Sequence, residues 1–236
     1  MKEHKDSKVI GKKPCPKCRT KGEDRKGDNL AVYDDGHDYC FKCGFLQFDK
    51  EEAVNIKPKR TLEMTGEYGA IKDRKISEAV ARKYGVTIEY KGSVVTKHHY
   101  PYCDIVTGDT VGTKVRSVAS KQFYATGTFD NTGLFGQQVC REGGKYITVT
   151  EGEADALAVS EMFDGKWPVV SLKTGAAGAL KDIKENLEFL ESFENVVLCF
   201  DNDTAGEKAT QEVLPLFSHD KVKVVTLPMK DAGDML

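Results

Sequence analysis

Two stretches of this chain end an apolar run on carboxylates and then turn helical: KYITVTEGEADALAV over 145–159 and NVVLCFDNDTAGEKA over 195–209. Parallel strands finish at one sheet edge, and ligands of open α/β sheets bind outside it. Glu151, Asp155, Asp201 and Asp203 are expected to gather there, joined by Asp231 after KVKVVTLP. Asp155 follows Glu151 by four residues, which puts both on one face of a first helical turn. Asp203 follows Asp201 by two and points the same way if the backbone stays extended. Gly152 is expected to permit the sharp strand-to-helix turn. Hard oxygen ligands suit Mg²⁺ or Mn²⁺, and two such ions can activate a hydroxyl and neutralise a leaving pyrophosphate. Helix N-termini also favour Asp and Glu as caps and against the dipole. That accounts for any one of these acids, but not easily for two strand-end clusters and a fifth carboxylate.

A second constellation is Cys15-Pro16-Lys17-Cys18 with Cys40-Phe41-Lys42-Cys43, a C-x2-C-x21-C-x2-C spacing. Four thiolates satisfy tetrahedral zinc completely and leave no open position, so the metal is expected to be structural. Lys12, Lys13, Lys17, Arg19 and Lys21 surround the first pair, and Tyr33, His37, Tyr39 and Phe41 lead into the second. Cations along a backbone with aromatics for base stacking suit single-stranded nucleic acid. A plain structural knob is the alternative. Cys103, Cys140 and Cys199 lack CxxC partners and read as small buried hydrophobes.

Lys114, Arg116 and Lys121 lie in TKVRSVASKQFYATG, just before the acidic sheet. They could bind triphosphates or product, although such a run is ordinarily a solvated strand edge. The turn KTGAAGAL at 173–180 opens a helix and could cradle phosphate. It matches no P-loop, and a simple turn serves as well.

The elements that must hold these residues follow from composition and pattern. The 236 residues carry a net charge of −2, which hides an asymmetry: residues 1–60 have 15 basic and 11 acidic side chains, and residues 61–145 have 12 and 9. Residues 146–236 have 8 and 17, so two basic segments precede an acidic one. That distribution suits a polyanion bound through cations. No apolar run approaches the ~20 residues of a membrane span, and the N-terminus has no apolar signal core, so an intracellular chain is expected. Residues 1–48 form a cysteine module and 49–60 a mobile linker. Residues 61–144 form a mixed α+β subdomain: helix SEAVARKY capped by Ser77, then strands VTIEY, VVTKHHYPY, TVGTKVR and KQFYAT. Over 145–236, KYITVT, helix 153–163, WPVVSL, helix 178–190, NVVLCF, helix 205–217 and KVKVVTL predict a parallel α/β sheet with right-handed crossovers.

TEGEADAL followed by a strand ending in DND resembles the Toprim domain of primases, topoisomerases, certain nucleases and RecR mediators. DDGHDYCFKC, KISEAVARKYGV, TKVR, KQFYATG, GLFG, PVVSL, CFDNDTAG and LPMKDAGD stand with it in the order found in the primase half of phage T7-type primase-helicases. The resemblance runs from about residue 11 to the end. It implies a zinc ribbon that selects a template site on single-stranded DNA, followed by an RNA polymerase domain with a Toprim-type α/β subdomain that joins ribonucleoside triphosphates into an RNA primer. By matching position, the catalytic residues are Glu151, Asp155, Asp201 and Asp203. Glu151, Asp201, Asp203 and Asp231 would hold two Mg²⁺ or Mn²⁺ ions, and Cys15, Cys18, Cys40 and Cys43 one Zn²⁺. Lys114, Arg116 and Lys121 would contact nucleotides, and Asp35 and His37 the template base. The segment from Lys114 to Phe123 is one residue longer and less basic than the family pattern. No Walker A motif occurs, so the resemblance stops at the primase half. It also implies a helicase domain or protein and a replicative DNA polymerase as partners, and the cytoplasm, a host's if phage-encoded, as location.

Two other readings share these motifs. A non-catalytic RecR-like mediator also joins four cysteines to a Toprim fold, but there the metal motif abuts the Toprim domain, whereas about 100 residues intervene here. A Toprim nuclease shares the acids without needing the cysteine module. A topoisomerase would need a large strand-passage region.

Overall fold

The computed structural model describes residues 8–34, 36–48, 61–62 and 65–236. The chain divides into two compact units, Met1–Lys59 and Arg60–Leu236. The linker expected over 49–60 and Asp35 lie outside the described residues.

In the first unit, β1 (Val9–Lys13), β2 (Leu30–Tyr33), β3 (His37–Cys40) and β4 (Leu46–Phe48) pair antiparallel in chain order. A short α1 (Pro16–Thr20) opens on Pro16, where a missing N–H breaks no intrahelical bond. Among the described residues of this unit, Cys15, Cys18, Leu30 and Cys40, with Phe45 against them, make the core cluster.

The second unit begins with α2 (Glu78–Lys83), whose cap Ser77 accepts from the Val80 N–H at 3.3 Å. An antiparallel meander follows: β5 (Thr87–Lys91), β6 (Val94–Cys103), β7 (Thr110–Ser117) and β8 (Phe123–Gly127). The remainder alternates: β9 (Gly144–Thr150), α3 (Glu153–Met162), β10 (Val169–Ser171), α4 (Ala179–Glu185), α5 (Leu187–Glu191), β11 (Phe193–Cys199), α6 (Thr204–Val213) and β12 (Val222–Val224). Its four strands are parallel in the order β10-β9-β11-β12. The chain therefore leaves β9 to one side and returns to the other, which makes the β9/β11 crevice a topological switch point.

Period-2 alternation splits the parallel strands between two cores. Ile147, Val149, Val170, Leu172, Val196 and Leu198 pack with Ile183, Leu190, Ala209 and Val213 of the helices that follow. Val169 and Cys199 face the other way, where Ala156, Leu157 and Val159 of α3 meet Tyr84, Tyr100 and Tyr102. The two sheets thus share one core across α3. Phe135 sits in it and bridges Ser171, covering the β10 edge.

Two helices differ from expectation. The helix predicted over 178–190 is broken at Asn186, whose side-chain amide donates to the Asp182 carbonyl at 2.8 Å. The helix predicted over 205–217 ends as an α-helix at Val213 and closes in a 3-10 turn over Leu214–Leu216, because Pro215 cannot donate to the helical ladder. Among the described residues no helix is long and apolar enough to cross a membrane.

Candidate active site

β9 and β11 pair in register to their last residues, with Cys199 opposite Thr150. The chain thus leaves both strands side by side, delivering Glu151 from one and Asp201 from the other to the switch point. The Glu151 Oε2 is buried and has no hydrogen-bond partner. Asp155, on the first turn of α3, accepts from the Gly233 N–H at 3.1 Å. Burial, then the nearby Asp231 and Asp201 carboxylates, push its carboxyl up to about 7 against that hydrogen bond. Burial, followed by Glu151 and Asp231, likewise pushes Asp201 up to about 6. Asp203 keeps the extended backbone expected of it, and its Oδ1 caps α6 by accepting from Ala205 and Gly206 at 3.0 and 3.1 Å. The Asp231 Oδ1 accepts from the Asp234 N–H at 2.8 Å.

Glycines let these groups approach. A Cβ on Gly206 would stand 2.1 Å from the Asp201 carbonyl oxygen, so α6 can start there only on a glycine. Gly152 has φ −120°, which any residue adopts, so its expected role in the turn is corrected. Its requirement is space: a Cβ there would lie 2.8 Å from the Asp155 Oδ2.

Like charges repel, and this cluster lowers that cost partly with cations. The Lys230 ammonium lies 3.8 Å from both the Asp201 and Asp203 carboxylates on an exposed side chain. The Arg74 Nη1 lies near Gly233, beside Asp155 and Asp231. Neither residue was singled out from sequence; LPMKDAGD carried Lys230, but nothing in the spacing of Arg74 marked it. Glu153 was also missed. It is 3% exposed and accepts from the Tyr102 hydroxyl and from the Lys114 ammonium, each at 2.6 Å. Lys114 also donates to the Lys173 carbonyl at 3.0 Å.

The three expected nucleotide contacts separate. Lys114 stands beside the acids through Glu153. Arg116, opposite His98 on the same sheet, is buried with its Nη1 unpartnered. Lys121 occupies the exposed β7–β8 connection with φ 58°. A cavity of about 690 Å³ opens beside Lys114, lined also by Phe129, Asn131, Lys173, Lys181 and Asp182.

The acids fit divalent cations by donor type, by the orphaned Glu151 oxygen and by the lysine already drawn between Asp201 and Asp203. Among the described residues no three carboxylates bring oxygens within 4.8 Å of one another, whereas the thiols of Cys15, Cys18, Cys40 and Cys43 do. Cys15 and Cys43 sulfurs are 3.5 Å apart and those of Cys18 and Cys40 3.7 Å. Burial pushes the Cys18 thiol up to about 12. At Cys40 burial acts the same way but is outweighed by the Cys43 and Lys42 N–H groups, which bring it down to about 7. Asp24 accepts from the Cys15 N–H at 2.6 Å and fixes the first turn. The His37 ring is 9% exposed and stacks on Tyr33 at 4.1 Å, while Phe41 is 73% exposed.

The Toprim-like family pattern matches residues 148–236. A DNA helicase/primase of Enterobacteria phage T3 is 34% identical over 251 aligned residues, covering 99% of this chain. The chain spans 42% of that relative's length. The crystal structure of the primase fragment of the bacteriophage T7 primase-helicase superposes with a TM-score of 0.68 at 35% identity, covering 96% of this chain and 93% of that one. A chain in the structure of T7 lagging-strand DNA polymerase interacting with primase domains of two gp4 subunits, bound to an RNA/DNA hybrid and dTTP, gives 0.64 at 40% identity over 72% and 84%. The Aquifex aeolicus primase, with its zinc-binding and RNA polymerase domains, shares the fold at a TM-score of 0.53 and 16% identity. Sharing 35% identity and one fold with the T7 primase fragment over nearly the full length of both chains, the chain belongs to the phage T7-type primase-helicase family, in its primase portion.

Proposed function

We propose that this chain is a DNA primase, which synthesises short RNA on a single-stranded DNA template from ribonucleoside triphosphates. The observation that carries this is the delivery of Glu151 and Asp201 to one switch point from adjacent strands, in a chain of this family. Two Mg²⁺ or Mn²⁺ ions held by Glu151, Asp201, Asp203 and Asp231 would supply charge neutralisation for the attacking hydroxyl and leaving pyrophosphate. The protein's own groups do the rest. Glu151 Oε2, free of other bonds, accepts charge or a proton at the reacting hydroxyl. Asp155, held by the Gly233 N–H, supports that placement. Lys114 and the unpartnered Arg116 Nη1 offer donors to phosphate oxygens. Zn²⁺ in the four-thiol site would order the first unit, whose Asp35 and His37, with the exposed Phe41, are assigned template selection. Similarity to a phage helicase/primase and to primase domains seen with a lagging-strand DNA polymerase supports a helicase domain or protein and a replicative polymerase as partners, and a host cell's cytoplasm is the proposed place of action.

The test combines purified chain, Mg²⁺ or Mn²⁺, labelled ribonucleotides and a library of short single-stranded DNAs. Template-dependent short RNA is expected, reduced by about 100-fold or more in Asp201→Ala. No RNA on any template, with zinc and fold intact, sinks the proposal. DNA cleavage without ribonucleotides would favour a nuclease instead.

A further inference from the structure

The turn between β10 and α4 touches both sides of the proposed site. On one side the Lys173 carbonyl accepts from the Lys114 ammonium at 3.0 Å. On the other, the missing Cβ of Gly175, whose φ is 67°, would lie 3.7 Å from the Glu151 Oε1. Within the turn's own backbone the Gly178 N–H donates to the Gly175 carbonyl at 3.1 Å, which leaves residues 173 and 174 to be held otherwise. What holds them is Asp182, 1% exposed on α4. Its Oδ2 accepts from the Lys173 N–H at 2.7 Å, the Thr174 N–H at 3.0 Å and the Thr174 hydroxyl at 3.1 Å. Gly178 lets Thr174 fold in, because a Cβ there would lie 1.6 Å from the threonine hydroxyl.

We infer that Asp182 is a positioning residue for nucleotide binding: it locks the 173–174 backbone, so that the Lys173 carbonyl holds the Lys114 ammonium where a triphosphate meets it. The geometry favours this over a merely local capping role, because the locked peptide is the one that Lys114 bonds. Lys114 has two hydrogen-bond partners, Glu153 and this carbonyl, at 2.6 and 3.0 Å, and its ammonium lies 5.3 Å over the Phe123 ring. Without the lock the carbonyl is free to turn away, and the ammonium keeps the Glu153 carboxylate as its one hydrogen-bond partner, with the Phe123 ring beneath it. The α4 acid and the cation it serves lie 68 positions apart in the chain, so the link exists only in the fold. The inference rests on the reading of Lys114 as a nucleotide contact.

The test has two readouts, applied after each variant is shown by circular dichroism and zinc content to be folded. In primer synthesis, Asp182→Ala is expected to raise KM for ribonucleotides about tenfold with kcat changed less than about threefold. Asp182→Asn, which keeps an acceptor, should restore most of that loss. In a Lys114→Ala background Asp182→Ala should add nothing, since coupled residues are non-additive. Independently of activity, reductive methylation followed by mass spectrometry should label Lys114 faster in Asp182→Ala than in the parent. Equal KM increases in both backgrounds, or an unchanged labelling rate, overturn the lock. If Lys114→Ala leaves KM unchanged, the nucleotide-contact reading falls instead, and the labelling rate alone decides on Asp182. Should Asp182→Ala fail to fold, Thr174→Val removes one of the three bonds and is expected to move KM and labelling in the same directions by less.

Discussion

Asp155 carries the clearest pH signature of the molecule. Burial with Asp231 and Asp201 nearby raises its carboxyl to about 7 in the folded protein, while an unfolded Asp titrates near its ordinary value. The folded state therefore binds the proton more tightly than the unfolded state. The stabilisation this gives is full at low pH and is lost as pH rises through 7. For a folded value near 7, metal-free protein is expected to lose about 1.4 kcal/mol between pH 6 and pH 8 from this group alone. Urea melts at the two pH values check it, with Asp155→Asn as the control that should flatten the difference. Stability that rises across that range in chelator, with Asp155→Asn showing the same slope, would contradict the assignment. Saturating Mg²⁺ should reduce the slope, because a bound cation opposes protonation. At this scale the sequence was legible for residue types but not for reasons. Gly152 was read as a conformational need, whereas the fold requires space for Asp155. Glu153 stands between two recognised acids in TEGEAD, yet its pairing with Lys114 needs β7 laid against α3, which no spacing in the chain reveals.

Among the elements, the start of α6 makes the closest approach of a glycine to backbone. Its N-cap is Asp203, and its third residue, Gly206, passes under the Asp201 carbonyl with no room for a methyl group. Gly206→Ala is expected to destabilise the second unit by about 1–3 kcal/mol, the usual cost of overpacking. It should also reduce primer synthesis by more than that loss explains, because the forced shift moves Asp201. Thermal melts alongside activity at a temperature where the variant stays folded separate the two; full activity in the folded variant would show that the joint does not set Asp201. The alternation of strands and helices after residue 145 was visible because apolar strand runs separated by helix-length segments suffice for a parallel sheet. The strand order was not. Nothing local says that β10 lies outside β9 and that β11 returns to its other side, although that reversal creates the site. Helix ends were also obscured, at Asn186 by a side-chain bond to Asp182 and at Pro215 by a missing donor that the longer apolar pattern overrode.

At the scale of the whole molecule, the two units depend on different forces. The second has two extensive apolar cores, whereas the first has Leu30 and Phe45 gathered on three buried cysteines. A core of that size among the described residues does not offset the entropy of ordering some forty residues, so metal binding is expected to supply most of the first unit's folding free energy, on the order of 10 kcal/mol if the ion is a structural zinc. Without an ion the four sulfurs would also face each other as mutually repelling thiolates or as buried thiols deprived of strong partners. Removal of the metal with a strong chelator, or Cys40→Ser, is therefore expected to unfold residues 8–48 while the cooperative unfolding of the second unit is unchanged. Amide spectra would show this as loss of dispersed signals from the first unit alone. If the proposed division of labour holds, the same treatment should cut synthesis on long templates at least about tenfold, while Mg²⁺ or Mn²⁺ binding to the acids, followed by the pH slope at Asp155, persists. Dispersed first-unit signals that survive complete metal removal would show that the sheet of β1–β4 stands without its ion, and the assignment of the thiol cluster as the unit's organising centre would have to be abandoned.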